Sequence, residues 1–219
     1  GTTQLIVGHR EVAGIDGVTA VAAGVSHSCA IRSGGVVMCW GRNYEGQLGN
    51  GAPARLSGPV AVAGVTGAVE VAVGTYHSCA RLMTGAILCW GLNAYGQLGD
   101  GTGAPTSVTP RMVQGITSAT RIVAGSLHTC AVHQGGAVAC WGANTSGQVG
   151  AVGAAQGVNT PATLPDVTGV NLLVAQGEHT CVLRSEGSAL CWGDNDSGEL
   201  NGTPSGPLMT PTDARIAGG

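Results

Sequence analysis

Short runs in which apolar and polar positions alternate recur along the chain, each broken by glycine. Val18-Thr19-Ala20-Val21-Ala22-Ala23, Val69-Glu70-Val71-Ala72-Val73 and Arg121-Ile122-Val123-Ala124 end at Gly24, Gly74 and Gly125. A period of two with β-branched residues predicts strands. Two further runs follow each of these, as in His27 to Ile31 and Val36 to Trp40. The residues midway between them are Ser33-Gly34-Gly35, Met83-Thr84-Gly85, Gln134-Gly135-Gly136 and Ser185-Glu186-Gly187. All four triplets close on glycine, the residue that reaches the left-handed region without steric cost, as the last position of a three-residue hairpin loop requires. A shorter segment ending in glycine precedes each Val-rich strand, seen in Glu11 to Gly14, Val60 to Gly64 and Met112 to Gly115. The pattern therefore offers four strand candidates per repeat and no helix.

The repeat is regular. His-Ser-Cys or His-Thr-Cys opens each copy, and the first cysteines fall at 29, 79, 130 and 181, a period of 50–51 residues. A fixed period of that length with four strands in each unit is the arithmetic of a propeller blade. The expected architecture is all-β: a β-propeller, or an arc of one, built of four-stranded antiparallel blades. The chain reads as one array, residues 1–219, with units near 15–64, 65–115, 116–169 and 170–219, and with 1–14 a linking segment from a preceding unit. Proline-bearing links between the units suit irregular connections. The fourth copy departs from the others: Cys181 follows Gly169 by 12 residues, where Cys29, Cys79 and Cys130 follow Gly14, Gly64 and Gly115 by 15. Its loop has Asn201 where the others carry glycine, and asparagine is a residue that tolerates the left-handed region.

Folding each hairpin about its loop sets Cys29 opposite Cys39, Cys79 opposite Cys89, Cys130 opposite Cys140 and Cys181 opposite Cys191. Opposed residues lie within a small adjustment of disulfide geometry, so four local staples are expected. Trp40, Trp90, Trp141 and Trp192 each follow a cysteine, which places them on the other face of the hairpin, packed between blades. His27, His77, His128 and His179 are expected to make structural hydrogen bonds across the blade. The competing assignment for His27, Cys29 and Cys39 is a zinc site, since imidazole and thiolate are preferred zinc donors. Four identical copies argue against it, because an enzyme has little use for one site in every blade. An exposed tryptophan anchoring a partner or a sugar is the competing role for the indoles. Asp194, Asp196 and Glu199 are a weaker calcium candidate. Asn144, Asn195 and Asn201 head Asn-x-Ser/Thr sequons.

Composition narrows the classes. With 43% hydrophobic and 10% charged residues in 219, the chain can bury a sizeable core. A net charge of -3 and nine scattered arginines leave no basic stripe for a phosphate backbone, which argues against nucleic acid. No lysine is present, so no phosphate-binding Gly-rich loop of the Gly-x-x-x-x-Gly-Lys type exists. No apolar run reaches the length of a spanning helix, and membrane insertion is not expected. Eight cysteines at one repeated spacing fit an oxidising compartment, extracellular or cell-surface, with the periplasm as a variant.

The pattern Ala-Gly-x-x-His-Ser/Thr-Cys-Ala, then Cys-Trp-Gly-x-Asn-x-x-Gly-Gln-Leu-Gly, resembles the regulator of chromosome condensation repeat, in the cysteine-paired type found in secreted bacterial proteins. The resemblance implies a propeller, commonly of seven blades, with interaction surfaces on both faces. The acidity and the paired cysteines depart from the nuclear nucleotide-exchange members. Three functions follow in order: a non-enzymatic extracellular module that binds a protein, without cofactor or metal; a structural subunit that self-associates through its blade edges; and, last, a zinc-dependent or carbohydrate-active enzyme. Residues 1–14 resemble 202–218, so the chain starts and stops in phase with the repeat, and it is expected to be completed by further repeats or by a second chain.

Overall fold

The computed structural model describes residues 11–52, 56–151 and 156–214. The resemblance between the two ends therefore lies largely outside the described residues. Sixteen strands form four separate sheets, each an antiparallel meander of four. The first sheet holds β1 (Val18–Ala23), β2 (His27–Arg32), β3 (Val36–Arg42) and β4 (Leu56–Ala61). The second holds β5 (Ala68–Val73), β6 (His77–Leu82), β7 (Ile87–Leu92) and β8 (Thr106–Met112). The third holds β9 (Arg121–Ala124), β10 (His128–His133), β11 (Ala137–Ala143) and β12 (Gly157–Leu164). The fourth holds β13 (Val170–Gln176), β14 (His179–Arg184), β15 (Ala189–Gly193) and β16 (Leu208–Asp213). The Val-rich strand is first in each sheet, and the short segment upstream of it closes the sheet before.

The hairpin register is the one that the cysteine spacing predicts. Cys29 pairs with Cys39, Cys79 with Cys89, Cys130 with Cys140 and Cys181 with Cys191. All four pairs are disulfides, with Cα atoms 4.1 Å apart. Gly35, Gly85, Gly136 and Gly187 close the hairpin loops at φ 74°, 85°, 99° and 89°. A second irregularity repeats at Cys-Trp-Gly, where the register of the ladder to the last strand slips in every sheet. At the glycine of this bulge φ lies near +100°; in the second sheet a Cβ on Gly91 would stand 2.5 Å from the Tyr76 carbonyl oxygen. Only glycine fits there.

Neighbouring sheets pack face to face in series through their first strands, β1 on β5, β5 on β9 and β9 on β13. Each interface has its own core, in which the cysteine face of one sheet meets the tryptophan of the next. Cys29 and Cys39 pack with Trp90, Cys79 and Cys89 with Trp141, and Cys130 and Cys140 with Trp192. The two ends of the series differ from its middle. Val71, Ile122 and Leu173, which sit at one position of the first strand, are 9%, 2% and 4% exposed, whereas Val21 at that position in the first sheet is 72% exposed. Leu172, Val174 and Leu183 are exposed on the fourth sheet.

Two readings of the fourth repeat are corrected by its backbone. Gly169 is the counterpart of Gly17 and Gly67, not of Gly14 and Gly64: their carbonyls accept from Ser185, Ser33 and Met83 at the hairpin loop. Counted from those glycines, Cys29, Cys79 and Cys181 each follow by 12 residues, Ser118 holds the same place before Cys130, and nothing is shortened. Asn201 is not left-handed, since Gln134 is the one described non-glycine residue at positive φ. It is the counterpart of Asn50 and Asp100. The fourth loop has instead lost the glycine before that position, and Gly202 bonds back to the Gly198 carbonyl where Gly49 bonds to Gly46.

Candidate functional site: the blade junctions and the loop face

The histidines, tryptophans and glutamines of the motif converge at the junctions between sheets. The Gln47 carbonyl accepts from Trp90 Nε1 at 2.9 Å and from Ser78 Oγ at 2.9 Å, and so uses both of its lone pairs. The Gln97 carbonyl accepts from Trp141 Nε1 and Thr129 Oγ1, both at 3.0 Å. That of Gln148 accepts from Trp192 Nε1 at 2.9 Å and Thr180 Oγ1 at 3.1 Å. Each hydroxyl has thus given its proton to a carbonyl, and its oxygen is left to accept. The donor is a histidine of the preceding sheet: His27 Nε2 lies 2.8 Å from Ser78 Oγ, His77 Nε2 2.9 Å from Thr129 Oγ1 and His128 Nε2 2.8 Å from Thr180 Oγ1.

This geometry assigns the tautomer. The proton sits on Nε2, and Nδ1 of His27, His77 and His128 is buried without a partner. Burial holds the three imidazoles neutral, lowering the pKa of His27 to about 4 and those of His77 and His128 to about 3, with the other histidines of the row adding a smaller repulsion to the latter two. The site is buried and neutral, and its indoles, hydroxyls and Gln carbonyls are all engaged in the packing.

The loop that supplies the carbonyl is itself fixed by the asparagine of Cys-Trp-Gly-x-Asn. Asn43 Oδ1 accepts from Leu48 N at 3.0 Å and its Nδ2 donates to the Ala52 carbonyl at 2.7 Å. Asn93, Asn144 and Asn195 accept from Leu98, Val149 and Leu200 in the same way. The Gln47, Gln97 and Gln148 side chains accept from the backbone N–H two residues before them. Gly49, Gly99 and Gly150 lie flat on the next indole, where a Cβ would stand 2.7–2.9 Å from the ring. Neither the asparagine nor the glutamine carbonyl was singled out from the sequence; their presence in repeated copies was the available signal.

Several sequence candidates are displaced by these contacts. With Cys29 and Cys39 joined, no thiolate is left beside His27 for zinc. Among the described residues no group of three or more His, Cys, Asp or Glu could hold a metal ion. Asp194 and Glu199 cap the backbone of their own loop, accepting from Asp196 N and Ser197 N. Asn144 and Asn195 are 3% and 0% exposed and engaged in their loops, which denies a glycosyltransferase the side-chain amide. Trp90, Trp141 and Trp192 are fully buried, so they present no ring to a sugar or partner, whereas Trp40 and His179, at the two ends of the series, are half-buried.

The face that carries these loops varies between the repeats. Arg42 sits where the other repeats have Leu92, Ala143 and Asp194; Tyr44 where they have Ala94, Thr145 and Asp196; and Tyr76 where they have Ser26, Leu127 and Glu178. All three tyrosines of the chain, Tyr44, Tyr76 and Tyr95, belong to the first two junctions, while Glu178, Asp194, Asp196 and Glu199 belong to the last repeat. The loop face is aromatic at one end, where Arg42 and Glu45 stand on the first loop, and acidic at the other. At the centre of the array Gly24, Gly74, Gly125 and Gly177 line a shallow depression of about 200 Å³. Among the described residues no helix is long and apolar enough to cross a membrane.

Comparison with known proteins agrees with this architecture. The Regulator of chromosome condensation (RCC1) repeat matches residues 18–47, 68–97, 119–148 and 177–199 in one form, and 34–81 and 84–132 in a second. The ultraviolet-B receptor UVR8 of Arabidopsis thaliana is 31% identical over 191 residues, 84% of this chain and 43% of that protein. The structure of human WBSCR16 superposes with a TM-score of 0.83 at 25% identity, over 96% of this chain and 56% of that one. Yeast RCC1 (Prp20), solved bound to Kap60, superposes with a TM-score of 0.79 at 22% identity, over 90% of this chain and 48% of that one. The chain spans about half the length of these relatives.

Proposed function

The chain belongs to the RCC1 repeat family, and from that premise we propose that it is a non-enzymatic protein-binding module, working in an oxidising, extracellular setting, with its specificity on the loop face. One observation carries the reading. The residues that repeat are consumed by the fold, as disulfides, junction hydrogen bonds and loop caps, whereas the loop face that they support carries different side chains in each repeat. Tyrosine and arginine, which distinguish that face at the first two junctions, are the residues enriched at energetic centres of protein interfaces. The yeast relative bound to Kap60 offers a precedent for protein binding by the fold. Four disulfides among the described residues suit an oxidising compartment.

The test is site-specific photo-cross-linking in the medium of the producing cell. A photoreactive residue at position 44 or 95 should capture a discrete protein, in competition with the unlabelled chain, and one at Met83 on a hairpin loop should not. Equal capture from both places, or none from the loop face, contradicts the reading.

A second reading, self-association, is favoured by the ends of the series. Trp40 and Ser28 stand at the positions that Trp90 and Ser78 hold on one side of a junction, and His179 with the Glu199 carbonyl at those that His27 and the Gln47 carbonyl hold on the other. Val21, Leu172, Val174 and Leu183 supply exposed apolar area beside them. A further repeat, from this chain or another copy, fits either end in the manner of the three internal junctions. Light scattering of the isolated chain tests this: concentration-dependent association abolished by Val21→Asp supports it, and a monodisperse monomer at all concentrations refutes it.

A further inference from the structure

We propose that Arg42, framed by Tyr44 and Tyr76, is a docking site for a single carboxylate side chain of a protein partner. The assignment rests on the protein-binding reading and names the chemistry of one point on its loop face. Arg42 ends β3, and its guanidinium carbon lies 4.8 Å from the centre of the Tyr44 ring and 5.0 Å from that of Tyr76. Tyr76 comes from the second sheet, at the turn before β6, so the pair of rings spans the first junction. A guanidinium held over aromatic faces keeps its charge and its planar fork in a fixed orientation.

Arg42 is set apart from the other arginines. Of the six described, Arg32, Arg81, Arg111, Arg121 and Arg184 each meet an oxygen: the Asp16 carbonyl, Glu70, Ser107 Oγ, Glu70 and the Asp166 carbonyl. Among the described residues the Arg42 guanidinium has no such acceptor, and its Nε is buried without a partner. All twelve carboxylates of the chain are among the described residues, and none lies within ion-pair distance of it, Glu45 of the same loop included. The terminal nitrogens, which are not enclosed as Nε is, are the donors left to a ligand. The packing does not require this residue, since leucine, alanine and aspartate stand at its position in the other repeats.

The form of the site selects the ligand. A lone guanidinium matches a carboxylate, one charge against one and two parallel N–H···O bonds. A phosphate dianion calls for a second cation; the chain has no lysine, and the other described arginines are engaged elsewhere. Rings on either side accept the aliphatic stem of a glutamate or aspartate. The acidic fourth repeat of the same face, with Asp194, Asp196 and Glu199, repels a partner carboxylate that lands there and so favours one orientation on the face.

The experiment is an NMR titration of the disulfide-intact chain labelled with 15N-arginine, reading the Nε–Hε signals, with that of Arg42 identified by its loss in Arg42→Lys. The probes are the capped tripeptide Ac-Gly-Glu-Gly-NH2, its Gln counterpart, and inorganic phosphate. The expected result is a saturable shift of the Arg42 signal with the Glu peptide, an unmoved Arg121 signal, no saturation with the Gln peptide, and weaker binding of phosphate. Tyr76→Leu, with an otherwise unchanged amide spectrum, should weaken the Glu peptide at least threefold. The proposal is overturned if Arg121 and Arg42 respond alike, if the Gln peptide or phosphate binds as well as the Glu peptide, if nothing saturates, or if Tyr76→Leu has no effect. Those failures remove the carboxylate site and leave capture at position 44 or 95 to be judged by itself, whereas failure of that capture with a positive titration removes the protein partner and keeps the anion site.

Discussion

Thr129→Val separates the hydrogen bonds of a junction from its packing. Thr129 is fully buried, accepts from His77 Nε2 and donates to the Gln97 carbonyl. Valine keeps its volume and shape and removes the hydroxyl. The His77 N–H then has no acceptor in a buried site, a loss of about 1–3 kcal/mol, whereas the Gln97 carbonyl keeps Trp141 Nε1 as donor and loses less, about 0.5–1 kcal/mol. The net expectation is a destabilisation of about 2 kcal/mol. Thr129→Ser is the natural control, because serine fills this position at the first junction as Ser78. It keeps both bonds and forfeits one buried methyl group, about 1 kcal/mol. Equilibrium urea unfolding of the two variants against the parent chain gives the comparison, with the slope checked because repeat arrays can lose cooperativity. A Thr129→Ser variant less stable than Thr129→Val would show that the methyl contact, not the hydroxyl relay, holds the junction, and would refute the reasoning.

The same junctions predict acid sensitivity. His27, His77 and His128 stay neutral in the fold down to about pH 4 to 3 but take up protons near pH 6.5 when unfolded. Stability is therefore undiminished above pH 6.5 and falls as the pH drops towards the folded pKa values, by up to about 1.4 kcal/mol per pH unit for each histidine. A urea midpoint unchanged between pH 7 and 4.5 would contradict this. Gly91→Ala, which sets a Cβ against the Tyr76 carbonyl at φ 102°, should cost more than about 3 kcal/mol or abolish folding; a soluble, native-like variant within 1 kcal/mol of the parent counts against the bulge as a steric requirement. Non-reducing peptide mapping should recover four crosslinks, each between cysteines ten apart, and reduction should cost at most about 2.7 kcal/mol per staple, since each loop is short and already a hairpin. Free thiols in the native protein would contradict both the pairing and the compartment.

The hairpins, their register and the cysteine pairs were legible because each depends on residues close in sequence, with glycine and cysteine marking fixed offsets. The propeller class followed from the period. The alignment of the fourth repeat was misjudged because several glycines lie near the start of each unit, and spacing alone cannot tell Gly169 from a counterpart of Gly64. Asn201 was misplaced for a similar reason, as a one-residue deletion resembles a substitution until hydrogen bonds show which asparagine does the work of Asn50. The sequons at Asn144 and Asn195 carry no information on burial. The role of the Gln47, Gln97 and Gln148 carbonyls was hidden because every residue has one, and the tautomer of the histidines depends on where the neighbouring hydroxyl sends its proton. The cluster of Arg42 and Tyr76 joins residues 34 apart through an interface between sheets, which a linear pattern does not reveal.

The central claim is that the repeated residues build the array and the variable loop face does the binding. Hydrogen–deuterium exchange of the chain with and without the partner captured at position 44 or 95 tests it directly. Protection on binding should appear in residues 42–46, 75–77 and 92–96, with the hairpin loops at 33–35 and 83–85 unchanged. Protection confined to the outer faces of the first and fourth sheets, around Val21 and Val174, would contradict the claim and assign the chain to self-association instead.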